Sequence, residues 1–128
     1  MEVPRATPED LPPGPLVQGF REGGFAVEGR IYRGLFLTPE RAAEWVAPAS
    51  PASLTVEDVE QVLSLTPPPE FLILGTGRGT AFPPRAFIRA VEARGLGVEV
   101  MDSRAAARTW GLLRGEERWI AAALMPLG

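Results

Sequence analysis

The stretch FLILGTGRGTAFPP, residues 71–84, begins as an apolar run and breaks into a glycine-rich loop closed by a proline pair. Phe71 to Leu74 show no alternation, which predicts a strand covered on both faces. The glycines that follow either cradle a phosphate or let the chain leave the strand with positive φ. Gly75 and Gly77 fit the G-x-G of a dinucleotide fingerprint, but Thr80 stands where the third glycine belongs. The next helix also begins too late for a pyrophosphate site, at Pro83 or Pro84. Its stripe is Phe87, Ile88 and Val91, with Arg85, Arg89 and Glu92 facing outward. A phosphate loop needs a lysine after its last glycine, and none is present. A turned corner is the preferred reading.

Working outward, Gly95 ends that helix and GVEVM, residues 97–101, forms the next strand. Together they make a β–α–β unit, expected to be parallel and right-handed. Asp102 or Ser103 caps a third helix carrying Ala106, Trp110 and Leu113, with Gly115 closing it. Glu116-Glu117 marks an exposed turn, and residues 118–125 read as a final buried strand. Upstream, residues 15–39 read as β-structure. Phe25 and Val27 alternate before Glu28-Gly29, and Ile31, Leu35 and Leu37 share a parity after it, a hairpin signal. Thr38-Pro39 predicts an N-cap and first position of a short helix to about Trp45. Residues 47–53 are a Pro/Ala/Ser connector. Thr55 and Asp58 then form a T-x-x-D cap for a helix burying Val59, Val62 and Leu63. Residues 1–15 hold five of the 14 prolines and are expected to be a flexible tail. Residues 16–128 make a single domain.

The residue types that are missing narrow the chemistry. The chain of 128 residues has no His and no Cys, and all 13 basic residues are Arg. Imidazole acid–base catalysis, thiolate nucleophiles, Schiff-base lysines and thiolate–imidazole zinc sites are therefore excluded. A net charge of −3 and a pI near 5.0 argue against a general nucleic-acid partner. No apolar run is long enough to cross a bilayer, and the N-terminus does not read as a signal peptide. A cytoplasmic protein is expected.

Ligands of open α/β sheets usually sit beyond the carboxyl ends of the parallel strands. Two loops meet that description, and they supply the candidate anion or ligand site: Gly75, Thr76, Gly77 and Arg78 from one, Asp102, Ser103, Arg104 and Arg108 from the other. Arg104 and Arg108 lie four apart and repel, and Arg104 sits at the positive end of the helix dipole. A salt bridge to Asp102 or another carboxylate is the preferred compensation, with a bound anion or acidic partner as the alternative. Capping accounts for Asp102 and Ser103 without an acid–nucleophile pair. No catalytic residue, metal ligand or cofactor is assigned.

FLILGTGRG, the helix after it, and GLGVEVMDSRAAARTWGLLRGEERWIAAALMPL resemble the small domain family that includes the mitochondrial NADH dehydrogenase (complex I) assembly factor 3. The family also has many uncharacterised bacterial and archaeal members. The matching features are Gly75-Thr76-Gly77, Gly97 to Met101, Ala106 with Arg108-Thr109, and Arg118 leading to Ala121 through Pro126. GGFAVEGRIYRGLFLTP, residues 23–39, resembles the family's opening hairpin. The family commonly has Cys where Ala107 stands and Asn where Gly111 stands, so an activity needing either group has no counterpart here. The resemblance implies a three-layer α/β fold, a β-layer packed on an α/β part, with a mixed central sheet of about five strands and an N-terminal hairpin. It also implies a last strand antiparallel to its neighbours. In function it implies a non-catalytic protein-interaction module serving assembly of a membrane (respiratory) complex, with a subunit of that complex as partner. The alternative is a small-anion or nucleotide-binding protein, or an enzyme using the glycine loop and adjacent Asp and Arg residues.

Overall fold

The computed structural model describes residues 14–128. The tail expected over residues 1–15 lies outside these residues except for Gly14 and Pro15. Pro15 is buried, and its carbonyl accepts a hydrogen bond of 2.9 Å from the Trp110 indole.

Strands β1 (Gly19–Arg21), β2 (Gly24–Val27) and β3 (Arg30–Tyr32) form a small antiparallel sheet. The turn between β2 and β3 is Glu28-Gly29, with φ of 49° and 81°. Positive φ at both positions matches the right-handed twist of the strands. A two-residue turn sets Val27 opposite Arg30 and Phe25 opposite Tyr32. Tyr32 is therefore the buried partner, and Ile31 lies half-buried on the other face. The shared parity expected for Ile31 with Leu35 and Leu37 fails because Arg33-Gly34 resets the register.

The central sheet has five strands in the order β5-β4-β8-β6-β7: β4 (Leu35–Leu37), β5 (Ala42–Glu44), β6 (Phe71–Gly75), β7 (Gly97–Met101) and β8 (Ala121–Leu124). β6 runs parallel to both β7 and β8, and β4 runs antiparallel to both β8 and β5. The last strand is thus antiparallel to only one of its neighbours, a correction to the expectation. It returns from α3 (Ser103–Gly115) in the direction of β6.

The helix expected from Thr38 to Trp45 is absent, and β5 stands in its place. Thr38 Oγ1 accepts from the Glu40 and Arg41 N–H groups at 3.3 and 3.1 Å, and the Thr38 N–H donates to the Arg41 carbonyl. The hydroxyl that would cap a helix here closes a hairpin. Ala42 and Ala43 then pair with Leu37 and Phe36, and Trp45 stacks on Phe36 at 5.0 Å. Packing overrides the helical propensity of two alanines.

The core lies on both faces of this sheet. On one face, α1 (Glu60–Leu63), the turn before it and α2 (Arg85–Glu92) cover Leu72, Leu74, Ala121 and Ala123 with Val59, Val62, Leu63, Phe87 and Val91. On the other, α3 and the small sheet cover Ile73, Ala122 and Leu124 with Phe25, Val27, Ala106 and Trp110. Leu72, Ile73 and Leu74 are completely buried, each worth about 1.5–3 kcal/mol relative to exposure. The expected T-x-x-D cap forms, with Asp58 accepting the Thr55 N–H at 2.8 Å, and a 3-10 turn over Val56–Val59 leads into α1. No described helix is long and apolar enough to cross a membrane.

Candidate functional site

The carboxyl ends of β6, β7 and β8 meet at Gly75, which pairs with Met101 on one side and Leu124 on the other. The start of α3 rests directly on it. A side chain at Gly75 would place Cβ 2.7 Å from Ser103 Oγ and 2.9 Å from Ser103 Cα, so only glycine permits this approach. Gly77, at φ +96°, then turns the chain away from the strand.

Hydrogen bonds tie these ends together. Ser103, completely buried, accepts the Gly77 N–H and donates to the Met125 carbonyl, both at 2.8 Å. Its own N–H donates to the Gly77 carbonyl, and the Met125 N–H to the Gly75 carbonyl. The Thr76 N–H donates to the Met101 carbonyl, while Thr76 Oγ1 donates to the Gly79 carbonyl at 2.6 Å and accepts from Ala81 at 3.0 Å. Asp102 caps α3, its carboxylate accepting the Ala105 N–H at 2.9 Å. No described buried side-chain polar atom lacks a partner. The N–H groups of Thr76 and Gly77, which a phosphate nest would draw on, are donated within the protein.

The candidate residues divide into two groups. Gly75, Thr76, Gly77, Asp102 and Ser103 form the tie between strand ends. Arg78 is exposed beside them, on a groove of about 420 Å³ shared with Pro48, Met125 and Pro126. Arg104 and Arg108 point elsewhere, toward the small sheet. The Arg104 guanidinium lies 5.5 Å from the centre of the Phe20 ring, and Arg108 lines a shallow trough of about 160 Å³ with Phe20 and Ala107. The salt bridge expected for Arg104 does not form with any described carboxylate, because Asp102 is turned to its cap and Phe20 occupies the face of the guanidinium. Phe20 is the residue that sequence reasoning missed: nothing in QGFREGG distinguishes a ring left 37% exposed from one in the core.

The ion pairs of the described surface lie away from both groups. Arg118 contacts both Glu70 oxygens at 3.1–3.2 Å, and Arg94 meets Glu60 at 2.6 Å. Hydrogen bonding to these guanidiniums holds both carboxyls below their usual range.

Residues 17–125 match the model of a family described as a protein of unknown function, DUF498/DUF598. Among curated proteins, the NADH dehydrogenase [ubiquinone] 1 alpha subcomplex assembly factor 3 of Danio rerio is 30% identical over 114 residues, 88% of this chain and 65% of that one. Its Bos taurus counterpart is 32% identical over 111 residues, 86% of this chain and 60% of that one. The chain thus spans less than two thirds of either relative. Among solved structures, a Bordetella parapertussis protein is 32% identical with a TM-score of 0.78, covering 88% of this chain and 95% of that one.

Proposed function

The chain belongs to the DUF498/DUF598 family, and from that membership we propose that it works by binding another protein during assembly of a membrane complex, a respiratory one in the first instance. The observation that carries the reading is the likeness to assembly factor 3, which extends through 88% of this chain. Two features of the molecule support it. The crevice where open α/β sheets usually take ligands is filled here by the start of α3, and its backbone donors serve Ser103 and Met101. The side chains available are also poor in nucleophiles and bases near neutral pH, with no His, Cys or Lys in the sequence.

The test is deletion of the gene together with affinity capture from native lysate. Recovery of respiratory-complex subunits, with slowed assembly of that complex in the deletion strain, is the expected outcome. Normal assembly and no such subunit would reject the reading. The groove beside Arg78 favours one alternative, an anionic small molecule held at its rim. A thermal-shift screen of nucleotides, phosphates and carboxylates tests it, since a ligand at a hundred times its Kd stabilises by about 2.7 kcal/mol.

A further inference from the structure

We propose that the outer face of α3, with Phe20 of β1, is the docking surface for an acidic segment of the partner protein, one that presents Asp or Glu beside an apolar side chain. The proposal rests on the reading that the chain binds another protein.

Several exposed arginines have no carboxylate partner among the described residues, which is ordinary where solvent serves them. Arg104 and Arg108 differ in placement. They stand four apart on one helix face, where like charges repel. Arg104 is also in the first turn of α3, where the helix dipole is already positive. A fold choosing residues for its own stability would place an acid there. Apolar surface accompanies the charge: the exposed Phe20 ring lies beneath Arg104, and Leu112, 72% exposed, follows Arg108 by one turn. The floor between them is low, because Ala107 is small and a Cβ at Gly111 would meet no atom within 4 Å. Arginine and an exposed aromatic ring side by side are a composition enriched where binding energy concentrates.

Charge selects the occupant. Two arginines on a chain of net charge −3 fall short of the four to eight basic residues that hold a protein to anionic lipid. The same balance disfavours nucleic acid. A second copy meeting this face symmetrically would set arginine against arginine. A carboxylate-bearing protein segment satisfies both guanidiniums and covers Phe20 and Leu112.

The experiment places a photo-cross-linking amino acid at position 112 of the full chain in its native host, with position 46 as control, since Val46 is also exposed. Cross-linked peptides are sequenced in the parent and in an R104E/R108E double variant. The expected result is a single peptide rich in Asp and Glu, absent from the control, with its yield reduced about tenfold or more in the double variant and falling as salt is raised. The variant should melt close to the parent, because an acid at position 104 suits the first turn of the helix and offsets the lost contact with the Phe20 ring, while the like-charge pair is present in both. Lipid adducts, neutral or basic peptides, no adduct at all, or a yield indifferent to the double variant would overturn the proposal. An acidic peptide from a protein outside any membrane complex would uphold this surface and reject the assembly reading. An assembly defect on deletion without a cross-link at position 112 would do the reverse.

Discussion

The Ser103 side chain holds two separate segments of the chain together. Its hydroxyl joins the β6 exit loop to the residue after β8 with no solvent access. Ser103→Ala leaves the Gly77 N–H and the Met125 carbonyl without it, and a buried donor left unpaired costs about 1–3 kcal/mol. The urea midpoint should fall accordingly with an unchanged slope. Gly75 makes the complementary case. Gly75→Ala drives a methyl group against Ser103 and Ala106, and relief requires α3 to move. Overpacking of this kind costs about 1–3 kcal/mol. Calorimetry showing a melting temperature equal to the parent's would mean that α3 does not rest on β6 as described.

At the scale of elements, signals with a chemical mechanism of their own were readable and those that depended on a neighbour were not. The Asp102 cap, the Thr55–Asp58 cap and the Glu28-Gly29 turn each use groups a few residues apart, so local sequence carried them. Thr38 offered the same hydroxyl as a helix cap and closed a hairpin, because β4 was present to pair with Ala42 to Glu44. The ion pair that ties the start of β6 to the approach to β8 yields a pH prediction. Hydrogen bonding to Arg118 lowers the Glu70 carboxyl below its usual 4.5. A carboxyl depressed in the folded state contributes stability that is complete above pH 4.5 and is lost as pH falls through the folded value. Both groups are solvent-exposed, so the contribution is small. Urea midpoints of the parent and of Glu70→Gln should converge below pH 4.5 and separate above it, with the parent the more stable.

At the scale of the whole molecule, we propose that residues 16–128 unfold as one unit, because the central sheet serves both apolar clusters. Ile73 faces one cluster while Leu72 and Leu74 face the other, so neither face can melt alone. Trp45 reports on one face and Trp110 on the other. Unfolding curves from variants that lack Trp119 and keep only one of these two tryptophans should coincide with far-UV circular dichroism of the same variant. Two separated transitions would divide the domain.

The β–α–β unit from Phe71 to Met101, the Thr55–Asp58 cap, the start of α3 at Asp102 or Ser103, the Glu28-Gly29 turn and the exclusion of imidazole, thiol and amine chemistry were contained in the order of residues. All of these depend on side-chain identity and short-range geometry. The direction of β8 between its two neighbours, the replacement of a helix by β5 and the separation of Arg104 and Arg108 from the glycine loop came from packing. Each is set by residues tens of positions apart, whose contact exists only once the chain has closed around Gly75 and Ser103.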